Sequence, residues 1–270
     1  MNKFVPIGLG AAAVVVVLVV SAQLLGSPAP GGVGAAPPSS PTPTLAPTTP
    51  APTPDATPLP TARFGLPEGP FVVNGTDDPV QVTVNIASSG WVPLRELDAV
   101  NKNDDGLDPP DYAGGVLAAW AWPAGTGINV YADPCQWLTT SPETPATTPD
   151  EIAAAFAAQA LTEATAPVDV TVGGFAGKAI TLRVPMSYDL PGATREEKFA
   201  DCDNDVYAFY GVEGESGEAR NAQGAGQVDE LWILDVDGSI VILDAAYSPA
   251  TPAELVEELR TLAESATFGN

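Results

Sequence analysis

Residues 230–247 read ELWILDVDGSIVILDAAY, with Asp237-Gly238 standing between two runs rich in Ile, Val and Leu. An Asp-Gly pair so flanked is the strongest short-range signal for a two-residue hairpin with a type I′ turn. That turn sets a register in which Trp232 faces Leu243, Leu234 faces Val241 and Ile233 faces Ile242. Both faces of such a hairpin are apolar, so it is expected at the centre of a sheet covered on two sides. Asp235, Asp237 and Gly238 also resemble the opening of a calcium loop. An EF-hand loop needs Gly at its sixth position and Glu at its twelfth, and counting from Asp235 those positions hold Ile240 and Ala246. Asp235 and Asp237 are therefore read as scaffold.

Two helices flank this picture. Thr148-Pro149-Asp150-Glu151 and Thr251-Pro252-Ala253-Glu254 each place Thr at an N-cap, Pro at the first helical position and Glu at the third, the pattern of a capping box. The first helix puts Ile152, Phe156 and Ala160 on one face; the second carries an apolar stripe of Leu255, Leu259, Leu262 and Ala266 that needs an apolar surface, which the hairpin offers. Further strands are predicted at 81–86, 116–122, 128–131, 168–172, 179–184 and 206–210. Strands, a helix, more strands and a terminal helix make an α+β domain with a largely antiparallel sheet and two main helices.

Upstream, the chain changes character. Residues 1–26, MNKFVPIGLGAAAVVVVLVVSAQLLG, carry Lys3 as their only charge. An apolar run of about 17 to 22 residues spans roughly 26 to 33 Å as a helix, the thickness of a bilayer core. This reads as an uncleaved signal anchor. Cleavage after Val20-Ser21-Ala22, releasing a chain that begins at Gln23, is the alternative. With the positive charge ahead of the apolar run, the anchor is expected to span once, N-terminus cytoplasmic and the C-terminal domain extracytoplasmic. Residues 27–63 hold prolines interleaved with Thr, Ala and Ser and no aromatic residue. They are expected to form a disordered, extended stalk at about 3.1 Å per residue. Residues 64–270 are expected to form the globular domain.

Charge and composition exclude several classes. Lys3, Asp55 and Arg63 are the only charged residues before Phe64, so residues 64–270 carry 8 basic and 33 acidic side chains. That surface has no basic stripe for phosphate, and nucleic acid is not an expected partner. The chain has no histidine, which removes imidazole acid/base chemistry and His-ligated zinc. The only two cysteines, Cys135 and Cys202, lie in a segment read as extracytoplasmic. They are expected to form a disulfide, worth about 4 kcal/mol by loop entropy.

The phrases GGVLAAWAW, NVYADPCQW, VDVTVGGFAGKAITLRVP and GQVDELWILDVDGSIVILDAAYSPAT, within about residues 113–268, resemble a family of actinobacterial extracytoplasmic domains that recur behind a membrane segment and a proline-rich stalk. The resemblance implies no assigned activity and no catalytic residues. The order of elements is similar to the PsbP-like α/β/α sandwich of accessory and binding proteins. MSYDLPGATREEKFADCD and VNKNDDGLDPPDY depart from the family pattern.

Candidate sites are few. Asn101, Asn103 and Asp105, followed by Gly106, fit the first half of a calcium loop, but the twelfth position is Tyr112; a solvated acidic turn is the competing reading. Asp201, Asp203 and Asp205 alternate beside the expected disulfide, as a cation site or as an acidic loop. Trp120 and Trp122 point to one side of a strand, either as a stacking platform for sugars or as core. Ser216 lacks both the last Gly of a nucleophile elbow and a histidine to activate it. Neither a catalytic residue nor a cofactor is expected. The function expected is a membrane-tethered, non-catalytic extracytoplasmic module that binds a cell-envelope ligand or protein. A carboxylate-dependent cell-wall hydrolase and a calcium-stabilised adhesion module are the alternatives.

Overall fold

The structure, a computed structural model, describes residues 56–61, 64–75, 77–94, 97–103, 109–189, 192–213 and 220–269. The apolar N-terminal segment, most of the stalk, Asp105 and Ser216 lie outside these. Among the described residues no helix is long and apolar enough to cross a membrane.

In chain order the strands are β1 (Thr57–Pro58), β2 (Gly69–Val72), β3 (Gln81–Ile86), β4 (Trp91–Leu94), β5 (Ala99–Lys102), β6 (Gly115–Trp122) and β7 (Ile128–Val130). After helix α1 (Pro149–Ala157) come β8 (Glu163–Ala164), β9 (Val168–Val172) and β10 (Phe175–Arg183). Helix α2 (Arg195–Lys198) precedes β11 (Ala208–Val212), β12 (Arg220–Asn221), β13 (Val228–Val236) and β14 (Ser239–Tyr247). Helix α3 (Ala253–Glu264) and β15 (Thr267–Gly269) complete the fold. It is α+β and mostly antiparallel.

The hairpin β13–β14 is the middle of an eight-stranded sheet ordered β4-β5-β6-β14-β13-β10-β8, with β9 also on β10. Its register pairs Trp232 with Leu243, Ile233 with Ile242 and Leu234 with Val241, as the turn chemistry requires. Asp237 and Gly238 have φ of 52° and 90°, the positive values of a type I′ turn. The Asp235 carboxylate accepts the Gly238 N–H at 2.7 Å and closes the turn. Gly238→Val forces a β-branched residue to positive φ and is expected to destabilise the domain by about 1 to 3 kcal/mol. Asp237→Asn should be nearly silent, and thermal melts with and without calcium check both. A calcium affinity lost in Asp237→Asn with unchanged calcium-free stability would overturn the scaffold reading.

Two separate cores lie on the two faces of this sheet. On one face Trp232, Leu234, Val241, Leu243, Leu117 and Ala119 pack with α3 and with strands β2 and β3. Those strands belong to a four-stranded sheet ordered β1-β2-β3-β15. The stripe Leu255, Leu259, Leu262 and Ala266 is buried there, over β6, β14 and β3. The fit is close enough that a Cβ at Gly115 would collide with Leu259. On the opposite face Ile233, Leu231, Ile240 and Ile242 pack with α1 and with a three-stranded sheet, β12-β11-β7, through Phe156, Tyr207, Phe209 and Tyr210.

The helix starts differ from expectation in an instructive way. Thr148 caps α1 by accepting the Glu151 N–H, but Glu151 reaches back to the N–H of Thr147 rather than of Thr148. Helix α1 ends at Ala157, so Ala160 is exposed outside it. The buried residue there is Gln159, whose amide donates to the carbonyls of Tyr131 and Phe209. Thr251 does not cap α3; the helix begins at Ala253 without a side-chain cap. The Thr251 hydroxyl instead donates to Gly114 O at 2.7 Å and accepts the Ser248 N–H. A long-range tether to the chain entering β6 outweighs a local cap. A capping box that the sequence reading did not identify, Thr194 with Glu197, starts α2.

The lower boundary of the domain also moves. Thr57 and Pro58, read from the sequence as stalk, pair in parallel with Phe71 and Val72, and Leu59 is buried in the first core. The expected disulfide, Cys135–Cys202, is present.

Candidate functional site

On the face that carries the second core, register places Ala99, Ala118 and Asp244 side by side on β5, β6 and β14, and Asn101, Val116 and Ala246 in the next row. Beside β12, these residues and Trp120 line a cleft of about 730 Å³. Leu94 and Leu97 line it from the β4 side, and Tyr112, Tyr247 and Arg195 also border it. The loop bearing Tyr112 is held by Ser248, whose hydroxyl donates to Tyr112 O.

The two tryptophans behave differently. Alternation does set both on one side of β6. Trp122 leans on the second core, edge-on to Tyr210 with ring centroids 6.2 Å apart, whereas Trp120 is half-buried and lines the cleft.

Bordering the cleft through Asp244 and Arg220 is an ionic cluster outside the candidate residues of the sequence. Asp229 on β13 and Asp244 on β14 are each 1% exposed. The register pairs Leu231 with Asp244 and Asp229 with Ala246, so the two aspartates are diagonal neighbours. Arg220, from β12 in the covering layer, reaches both: Nε donates to Asp244 Oδ2 and Nη2 to Asp229 Oδ1. Its Nη1 donates to Asn221 O at 2.6 Å, and Gln227 Nε2 donates to both Asp229 oxygens. With both carboxylates ionised, one guanidinium leaves a net charge of minus one out of water; a proton on Asp229 makes the cluster neutral. Among the described residues the Asp244 Oδ1 atom and the Tyr210 hydroxyl are buried without a hydrogen-bond partner.

A signal for this cluster was available. Strand parity puts Asp229 on the face of Leu231 and Ile233, and Asp244 on the face of Ile240 and Ile242. Two acids on one apolar face need a cation, and Arg220 stands nine residues before Asp229.

Electrostatics follow from this burial. Loss of water pushes the Asp229 carboxyl up; Arg220 opposes that and Asp244 adds to it, and the group stands at about 7 against an ordinary 3.8. Burial likewise pushes the Tyr210 phenol up. With its folded value above its unfolded one, Asp229 holds its proton more tightly in the native state. Its contribution to stability is full below about pH 4 and is lost as the pH rises through 7. Glu230 and Glu258 act in the opposite sense. Burial alone would raise each, but hydrogen bonds from Arg260 and Tyr247 to Glu230, and from Lys102, Ser88 and Trp91 to Glu258, outweigh it and hold them below 4.5. Their contributions are present above 4.5 and lost below it. Stability of the full-length chain is therefore expected to peak near pH 5 and to fall toward pH 8, with a slope of at most about 1.4 kcal/mol per pH unit from one proton. Asp229→Asn should flatten that slope in a pH series of denaturant titrations. An unchanged slope would mean that general charge repulsion, not Asp229, produces it.

The other sequence candidates do not join this cluster as a group. Asn101 is buried in β5, paired with Val92 and Val116, and lines the cleft; Asn103 follows the strand with φ of 57°. Asp201 and Asp205 are exposed. Asp203 braces the disulfide loop: its N–H donates to Cys135 O at 2.8 Å, its carboxylate accepts the Leu138 N–H, and its carbonyl accepts Trp137 Nε1. Among the described residues no three acidic or cysteine side chains gather as a metal cage would require. Compared with protein-family models, curated proteins and solved structures, the chain matches none.

Proposed function

We propose that this chain is a membrane-tethered, extracytoplasmic binding module, anchored by residues 1–26, held out on a stalk that ends before Thr57, and taking its ligand in the Trp120 cleft. The observation that carries this reading is the cleft itself, of about 730 Å³. Val116, Ala118, Trp120 and Ala246 line it, and Asp244 and Arg220 of the buried cluster with Asp229 border it. An apolar concavity with a few convergent polar groups is the usual form of a small-molecule site. The long apolar run and the proline-rich segment that follows support the tether.

A carboxylate-dependent hydrolase is the second reading, and the Asp229–Asp244 pair with its raised acid is the observation in its favour. Against it, Asp244 borders the cleft and Asp229 does not, while Arg220 binds both carboxylates. Such a pair is not presented to a substrate as an acid and a nucleophile.

Ala118→Leu fills the cleft opposite Asp244 and leaves the ionic cluster untouched. The full-length protein and this variant should be isolated from the membranes of the cells that make them, and their co-purifying small molecules compared by mass spectrometry. A species present with the parent chain and absent from the variant is expected. Identical extracts would defeat the binding reading. Hydrolysis of an envelope polymer, abolished by Asp244→Asn, would establish the hydrolase instead.

A further inference from the structure

The cleft has one chemically specific wall, where Asp244 and Arg220 border it, and the charge and hydrogen-bond balance there select among ligands. Asp244 is buried, its side chain on the cleft face of β14, with Oδ2 engaged by Arg220 and Oδ1 without a donor among the described residues. The guanidinium beside it already serves Asp229, Asp244 and Asn221 O through its three nitrogens. An anionic group entering here would meet carboxylates, and the cation next to them is committed. A donor that is also positive would satisfy Oδ1 and, with both carboxylates ionised, cancel the surplus negative charge in one contact. Beside it, Val116, Ala118 and Trp120 of β6 and Ala246 of β14 supply apolar and aromatic surface, Asp98, Asn101, Asn221 and Gln223 supply polar lining, and the half-buried indole adds an attractive face for a cation. The excess of acidic side chains over the whole domain draws cations toward it. Arg195, which also lines the cleft, favours an anion. Its guanidinium already leans on Gln223 and Glu196.

Resting on the reading of the cleft as a binding site, we propose that it recognises a small-molecule amine. The flat apolar body lies on Trp120, Ala118 and Val116, and the protonated nitrogen donates to Asp244 Oδ1.

Three probes of one shape and different head groups test this: 2-phenylethylamine, 2-phenylethanol and phenylacetate, titrated calorimetrically into the full-length chain in detergent micelles. The amine is expected to bind about ten- to a hundredfold more tightly than the alcohol, the worth of one charge-assisted hydrogen bond, and phenylacetate more weakly still. Asp244→Asn should bring amine and alcohol to equal affinity. Should that variant fail to fold, Ala118→Leu, which leaves the cluster in place, is expected to abolish binding of all three probes. Equal affinities in the parent chain, or tighter binding of phenylacetate, would overturn the amine assignment and leave a binding cleft of another specificity. Binding of none of the three also overturns it. The binding reading itself stands or falls on the co-purification comparison, so the two failures are distinguishable.

Discussion

Arg220→Met is expected to destabilise the domain by about 3 to 5 kcal/mol, the cost of breaking a buried ion pair by removing one partner. The substitution keeps the bulk of the side chain and takes away the cation that touches both Asp229 and Asp244. Two carboxylates, each 1% exposed, are then left as diagonal neighbours on adjacent strands, with Gln227 still donating to Asp229. In a folded unit of this size, 1 kcal/mol corresponds to about 2 to 4 °C of melting temperature, so a drop on the order of 10 °C is expected. Two companion measurements isolate the cause. Acidification to pH 5 should restore part of the loss in Arg220→Met, because protonation removes the unpaired charges. The triple variant Arg220→Met, Asp229→Leu, Asp244→Leu should recover most of it, since replacing a whole buried cluster by apolar residues is often neutral. A triple variant as unstable as the single one would show that Arg220 stabilises by packing rather than by charge.

Replacing both cysteines, Cys135→Ala with Cys202→Ala, is expected to lower stability by about 4 kcal/mol. The sequence separation of 67 residues makes a long loop, and closing it removes much of the freedom of the unfolded chain. That loop carries α1, β8 to β10 and α2, the parts that cover and extend one edge of the central sheet. The native ends of the loop are also joined without the bond, through the Asp203 N–H on Cys135 O and the Trp137 indole on Asp203 O. The double variant should therefore keep its native structure while shifting its denaturant midpoint. The parent chain should shift by a similar amount in reductant, and the double variant should not respond to reductant at all. Equal midpoints for parent and variant under oxidising conditions would contradict the loop-entropy account.

Much of the centre of this fold was legible before any coordinates. Asp237-Gly238 prescribes a turn whose geometry fixes which residues face one another across β13 and β14, so a few adjacent residues determine an eighteen-residue hairpin. Period-two alternation announced β3, the strand predicted at 168–172 also has its observed bounds, and the spacing of Leu255, Leu259 and Leu262 announced the buried stripe of α3. The cysteine pair followed from there being only two. Each of these signals is local, or has a single possible partner.

What the tertiary structure alone decided is of another kind. Strands β2, β4, β5, β12 and β15 are two to four residues long, too short for periodicity to register, and long-range pairing alone makes them strands. Residues 57 to 59 look like stalk by composition, yet Leu59 finds a place in the first core. Thr251 carries a good local cap signal, and a carbonyl 137 residues away takes its hydroxyl. The cleft depends on the same long-range order. Val116, Ala118 and Ala246 are ordinary sheet residues, and Asp229, Asp244 and Arg220 are three scattered charges. They become one site because β6, β13 and β14 pair in this register and β12 crosses above them. The physical reason is that local sequence controls backbone turns and periodicity, whereas a buried charge cluster and the concavity beside it depend on distances between elements, set when separate layers pack around a shared sheet.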